Sequence, residues 1–369
     1  MFLTTVIALV ILILSSSLVP GVIHFCKKYA LYDSVNARKI HSGNIPRLGG
    51  IAIFLSFVIG YSVYFCITDF KGFNTKLPLL LGGTIIFTVG ILDDIVELKA
   101  WQKAIAQLIA TAVVVLGGYR FQSIFGIPLY NSIFGRIFSC GFTFCWVFGI
   151  INSYNLIDGL DALCGTLALS VFASIAIIYS QFYTEGTYIC IFLCAAVLGF
   201  LFFNWPPAKI FMGDNGSQFL GFMVAILPLY AYAGNTINQT YEFNKILVII
   251  NLVSIPMTDT IAAIWRRLRD HRPVMSPDRA HLHHKLLNLG FSKKNALLLV
   301  DAVQVLVCII VIMSLSLKPH QATLVLVLTY FVVMSLFCMI HFSNRSVLRR
   351  QRLRMLKEDQ NLDVNDTDI

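Results

Sequence analysis

The sequence predicts an all-α integral membrane protein, a polytopic bundle of about eleven transmembrane helices. Three observations predict it. Of 369 residues, 57% are hydrophobic and only 13% charged, with a mean hydropathy of +0.77, far too apolar for a soluble globule of this length. Apolar runs of about 17–25 residues, enough helix to cross about 30 Å of hydrocarbon, recur along nearly the whole chain. The short alternating segments of an outer-membrane barrel are absent from it.

In order, the spans fall near 2–23, 48–67, 77–92, 102–118, 133–151, 163–181, 187–204, 216–233, 244–264, 296–316 and 321–341. The first has no Lys or Arg before it and Lys27 and Lys28 after it, so it reads as a retained helix and not as a secretory signal. The nine cysteines form no CxxC pair, and Cys190 and Cys194 sit one turn apart inside a span. They read as packing residues.

An odd number of spans puts the termini on opposite sides. Lys and Arg collect after the odd-numbered spans, with Lys71, Lys76, Arg120, Arg136, Lys245 and Lys318 the exceptions. The positive-inside rule then predicts the N-terminus outside and the C-terminus in the cytoplasm. The membrane domain covers 1–342, with cytoplasmic loops near 24–47, 92–103, 150–162, 204–216 and 265–295. A tail over 343–369 is basic through Lys357, then acidic and expected to be disordered from Glu358. The net charge of +9 lies on this same face, where it suits lipid head groups or a nucleotide; no nucleic-acid partner is expected.

The chemistry sits at the cytoplasmic edge. Asp93 and Asp94 close the third span, with Glu97 one turn on, and carboxylates this close call for a cation between them. Asn155, Asp158 and Asp161 recur every three residues in a loop without Lys or Arg. Asp214 lies between Gly213 and Gly216, in a turn suited to phosphate. Helix capping or a solvated acid patch is the plain alternative for each. The loop after span nine carries Arg266, Arg267, Arg269, Arg272 and Arg279 with His271, His281, His283 and His284. It lacks the Cys or HExxH of a zinc site, and imidazoles that bind phosphate or sugar fit these arginines better. Asp259 lies inside span nine, as a functional acid or the partner of an Arg.

Together these pieces resemble the polyprenyl-phosphate N-acetylhexosamine-1-phosphate transferases over roughly residues 30–295. The resemblance rests on Asp33 with Arg38-Lys39 and His41, Ile45-Pro46-Arg47-Leu48-Gly49-Gly50, Asp93-Asp94, Lys103 with Gln107, Asn155 through Asp161, Pro207-Ala208-Lys209 with Met212-Gly213-Asp214, and Pro256 through Arg267. His281-Leu282-His283-His284 is similar to the branch that uses UDP-N-acetylglucosamine, WecA/TagO, and not to the MraY branch. Glu97, Ala162 and Leu282 depart from the family pattern, and Ala162 puts the turn after Asp161 in question.

The resemblance implies transfer of GlcNAc-1-phosphate from UDP-GlcNAc to undecaprenyl phosphate, releasing UMP, as the first membrane step of a cell-envelope polysaccharide pathway in a bacterial inner membrane. It implies Mg²⁺, with Mn²⁺ as a substitute, held by Asp214 with Asp158 or Asn155. Asp93 or Asp94 would orient or deprotonate the lipid phosphate, with Asp158 and Asp161 in the same catalytic group. Lys39, Arg47, Lys103, Asn155, Arg266, Arg267, Arg279, His281, His283 and His284 would bind the substrates. A homodimer is left open. The rivals are an MraY-type phospho-MurNAc-pentapeptide transferase, an intramembrane prenyltransferase, which would need two DDxxD-like clusters, and a transporter, which would show internal repeats and acids near the midplane.

Overall fold

The computed structural model describes residues 2–32, 44–68, 73–182, 184–229, 238–273 and 280–366. The helices are α1 (Phe2–Lys28), α2 (Gly50–Ile67), α3 (Phe73–Val96), α4 (Ala100–Leu116), α5 (Ile133–Ile157), α6 (Leu163–Tyr179), α7 (Thr184–Asn204), α8 (Gly213–Ile226), α9 (Gln239–Leu252), α10 (Ser254–Arg269), α11 (Leu282–Asn288), α12 (Lys293–Ser314) and α13 (Pro319–Asp366). The chain is a multi-pass, all-α membrane protein. By length and apolarity α1, α2, α3, α5, α7, α12 and α13 can each cross a bilayer, and α9 with α10, bent by 66°, make an eighth if taken as one span. α4 and α6 are apolar but have 17 residues each.

α8 is the axis of the bundle. Every residue from Asn215 to Ile226 is buried, as the apolar run from Phe219 onward requires, and α2, α3, α5 and α6 pack around it. Its 14 residues, followed by a 3-10 turn over Leu227–Leu229, are shorter than the span expected over 216–233, whose end falls outside the described residues.

The expected ninth span is broken. Pro256 has no N–H to give Leu252, so the helical ladder fails there. The carbonyl left over accepts instead from Gln304 Nε2 of α12 at 2.9 Å. Pro256 falls in the first turn of α10, where its missing donor costs little, and the helix restarts at the new angle.

Three other details differ from expectation. A two-residue hairpin, β1 (Ser123–Ile124) with β2 (Ile127–Pro128), turns on Phe125 and Gly126, both with positive φ, the backbone of a tight two-residue hairpin turn. α5 continues to Ile157, so Asn152 and Asn155 are on a helix and not in a loop. α13 runs on through the expected disordered tail to Asp366. Extending a formed helix adds one hydrogen bond per residue fixed, so the membrane-anchored segment carries the polar one with it.

Candidate active site

The site begins where α8 begins. The first N–H groups of a helix have no partner within it, and here a carboxylate from another helix serves them. Asp94, in the last turn of α3, accepts from Asp214 N at 3.1 Å, Asn215 N at 3.0 Å and Asn215 Nδ2 at 2.6 Å. Gly213 has φ +77, a conformation that suits glycine, and a side chain there would strike the Arg47 carbonyl. Arg47 in turn donates through Nη2 to the Asp94 carbonyl. The segment before α2 is laced to the one before α8 by Phe211 N to Pro46 O, Gly49 N to Phe211 O and Gly50 N to Met212 O, at 2.8–2.9 Å. The two motifs at 45–50 and 212–214 therefore form one unit.

Asp93 points its chemistry elsewhere. Its Oδ1 accepts from Leu98 N at 2.8 Å, while Oδ2 meets Lys103 Nζ at 2.8 Å, and the same ammonium lies 3.3 Å from Asp214 Oδ2. Lys103 thus stands as counter-ion between two carboxylates that would otherwise repel. The Lys103 and Asp214 side chains are 27% and 28% exposed, whereas Asp94 is 5% exposed, so a ligand can reach the first two and not the third. Glu97 does not join them: α3 ends at Val96 and Glu97, with φ +52, is exposed.

A relay of side-chain amides fixes the cluster from below. Asn152 Nδ2 donates to Gln107 Oε1 at 2.9 Å, Gln107 Nε2 to Gln218 Oε1 at 3.2 Å, and Gln218 Nε2 to Asp214 Oδ2 at 2.9 Å. Satisfied networks of this kind are rigid, because breaking any link leaves a buried polar group without a partner. Asn155 donates to Ser217 Oγ at 3.2 Å and also hydrogen-bonds the Asp214 carboxylate. Sequence reasoning missed Asn152, Gln218 and Asn215. Gln218 was findable as the polar residue one turn beyond Asp214 on an apolar helix, just as Gln107 stands one turn beyond Lys103.

The loop after α5 is latched to the loop after α7. Asp161 Oδ2 accepts from Ala208 N at 3.2 Å. Asn204 accepts from Ala162 N at 3.0 Å and donates to the Ile210 carbonyl at 2.7 Å. That grip holds Ala162 in a left-handed conformation, φ +66, where the family pattern has glycine. Asp158 is the half-buried C-cap of α5.

The histidines approach this loop from the other side. Asp259 accepts from Leu282 N at 2.9 Å and pairs with His281 Nδ1 at 2.8 Å, so the acid of span nine serves the histidine segment. His283 is buried and lies against Gly159, where an added Cβ would come within 2.5 Å of its Nε2. Burial, with His284 and His281 nearby, pushes its imidazole down to about 3. That burial favours the neutral ring at physiological pH. The His284 ring lies 4.4 Å from that of His283. Arg267 is buried at the end of α10, and Arg266 lines a groove toward α13. Lys39 and Arg279 lie outside the described residues.

Among the described residues no three His, Cys, Asp or Glu side chains converge as a ready-made metal centre. The donors still fit one hard cation. Mg²⁺ commonly takes only one or two carboxylates and fills its other positions with water and substrate phosphate, and Asp214 with the Asn155 amide supplies such oxygens beside Asp93.

The model of the family described as glycosyl transferase family 4 matches residues 77–232. A "Probable undecaprenyl-phosphate N-acetylglucosaminyl 1-phosphate transferase" of Bacillus subtilis (strain 168) is 33% identical over 298 residues, 80% of either chain. The undecaprenyl-phosphate alpha-N-acetylglucosaminyl 1-phosphate transferase of Escherichia coli (strain K12) is 30% identical over 314 residues, 83% of either chain. The decaprenyl-phosphate N-acetylglucosaminephosphotransferase of Mycolicibacterium smegmatis is 32% identical over 288 residues, 71% of this chain and 70% of its own.

Proposed function

The chain belongs to glycosyl transferase family 4, and from that premise we propose that it transfers GlcNAc-1-phosphate from UDP-GlcNAc to undecaprenyl phosphate, giving undecaprenyl-diphospho-GlcNAc and UMP. The observation that carries the reading is the convergence of Asp93, Lys103 and Asp214 from three helices. One partly exposed cation between two carboxylates suits a reaction in which two phosphates must be brought together. The names of the relatives favour N-acetylglucosamine over a MurNAc-pentapeptide donor.

A phosphate oxygen of the lipid attacks the sugar-bearing phosphorus of the donor, and the bond from that phosphorus to the UMP oxygen breaks. A phosphate monoester is largely dianionic near neutral pH, so the attack needs little base; Asp93 takes the residual proton and Lys103 holds the phosphate. Asp94 acts through α8, by fixing Asp214, and does not touch the reactants. Asp214 and Asn155, with Asp158 next along the chain, are the residues that would hold Mg²⁺ or Mn²⁺. When bound, the ion offsets repulsion between the phosphates and stabilises the departing UMP. His281, oriented by Asp259, and neutral His283, with His284 and Arg267, bind the sugar and diphosphate; Asp161 keeps its loop against Ala208.

The same reading includes eleven crossings, with α4, α6 and α8 crossing inside the bundle, the N-terminus outside, and the site on the cytoplasmic face of a bacterial inner membrane where a soluble UDP-sugar is found. Asp214→Asn tests it. Turnover should fall at least a hundredfold and the Mg²⁺ dependence should weaken while the apparent Tm stays near wild type; a near-normal rate at ordinary Mg²⁺ would rule the assignment out.

A further inference from the structure

The carboxylate of Asp301 has no part in the chemistry above. It lies about two turns into α12, the one charged residue of that helix past Lys294, half-buried in a segment long and apolar enough to cross a bilayer. An ionisable group placed there is costly and calls for a reason. Its Oδ1 accepts from Thr166 Oγ1 at 2.7 Å. The hydroxyl has one proton to give, and the carboxylate is nearer than the Ala162 and Leu163 carbonyls, each at 3.1 Å. A carboxylate acceptor makes this the stronger bond as well. Thr166 is in the first turn of α6, and its N–H donates to the Ala162 carbonyl at 2.9 Å. Ala162 follows Asp161 and closes the turn that carries Asp158 and Gly159.

α12 therefore bears on the candidate site twice. It packs against α11, which carries His283, and through Asp301 it holds the first turn of α6, to which the turn over 158–162 is joined. Those two parts meet where His283 lies against Gly159, so the clasp sets how closely they meet. Holding α6 to α12 does not require it: the two helices pack together, and deeper in the bundle Cys308 Sγ donates to the Ser170 carbonyl at 3.8 Å. We propose that Asp301 is a positioning residue for the sugar-nucleotide donor: through Thr166 it holds the turn that carries Asp158 and Gly159 in register with His283. This role rests on the reading above, in which the histidine segment binds the donor. Without the clasp the turn is in place only part of the time, and donor affinity falls by that fraction. The acceptor, held at Asp93 and Lys103 on other helices, is spared.

Initial rates of the purified full-length protein, with UDP-GlcNAc and undecaprenyl phosphate varied in turn, and thermal unfolding of the same samples test it. A lost charge-assisted hydrogen bond is worth about tenfold or more, so Asp301→Leu should raise KM for UDP-GlcNAc about tenfold and KM for undecaprenyl phosphate less than about twofold. Asp301→Asn keeps an acceptor oxygen for Thr166 and should hold the donor KM within about threefold. Thr166→Val removes the same bond from the other side, which keeps the test open if Asp301→Leu is less stable. The double variant should be no worse than the poorer single one, because both changes remove one contact. Cys308→Ala cuts the deeper link between the same helices; it should lower Tm and leave the donor KM within about twofold, as an independent site does. The role is overturned if Asp301→Leu lowers Tm but leaves the donor KM unchanged, if both KM values rise together, or if Asp301→Asn is as poor as Asp301→Leu. It is overturned too if the double variant adds the two losses or if Cys308→Ala raises the donor KM as much. Wild type that turns over UDP-GlcNAc while the variants keep its donor KM refutes this role alone; wild type that does not use UDP-GlcNAc refutes the reaction, and this role with it.

Discussion

Asp93 and Asp94 are adjacent in sequence yet do different work, and Asp94→Asn separates them. The Asp94 carboxylate accepts three buried hydrogen bonds, two on Oδ2 and one on Oδ1. An asparagine has one acceptor oxygen; set where Oδ2 was, it turns its own NH₂ toward Asp214 N–H, donor against donor. At least one charge-assisted bond is lost, at about 1.5–3 kcal/mol, or roughly ten- to 150-fold in the equilibrium that holds the first turn of α8 in place. The loss should appear both as a lower apparent Tm and as a fall in turnover of that order, because Asp214 rides on that turn. Asp93→Asn leaves α8 capped and faces Lys103, which water can reach. It should cost turnover with little change in Tm. Thermal unfolding and initial rates on both purified variants decide the matter. If Asp94→Asn keeps the wild-type Tm and loses as much activity as Asp93→Asn, Asp94 is a reacting group and the division of labour is wrong.

Three further outcomes are expected. Gly159→Ala should raise KM for the UDP-sugar, since its Cβ would press on the His283 ring at a cost of about 1–3 kcal/mol; an unchanged KM would detach that ring from donor binding. Because His283 titrates near 3 when folded and near 6.5 when unfolded, the unfolded chain binds the extra proton between those values. Stability should therefore fall as pH drops from about 6.5 toward 3, by up to about 1.4 kcal/mol per unit from this residue, and His283→Gln should flatten the slope; denaturant midpoints across that range check it. In a cysteine-free background, Ile127→Cys in the hairpin should react with an impermeant thiol reagent added outside intact cells and Lys294→Cys should not, and the reverse pattern would invert the topology.

Much of the bundle was legible because hydrocarbon imposes a length on each apolar run, and the order of helices follows those runs. The cluster was legible for the same reason: Asp93, Lys103 and Asp214 are charged residues at the ends of segments that tolerate few. What escaped was set by backbone hydrogen bonding between distant segments. Pro256 was visible in the sequence, but the bend it permits depends on Gln304 satisfying the Leu252 carbonyl from another helix. The three donors that Asp94 serves at the start of α8 could not be read from its place in the sequence. Asp161, expected in the same catalytic group, holds Ala208 N. Ala162, flagged as a departure, adopts the left-handed backbone all the same, because Asn204 holds its N–H.

The central claim is the reaction itself. Purified protein given undecaprenyl phosphate and Mg²⁺ should convert UDP-GlcNAc into equal amounts of UMP and undecaprenyl-diphospho-GlcNAc, and should leave UDP-MurNAc-pentapeptide untouched. Use of the pentapeptide donor in place of UDP-GlcNAc, or release of UMP without a lipid-linked sugar, would contradict it.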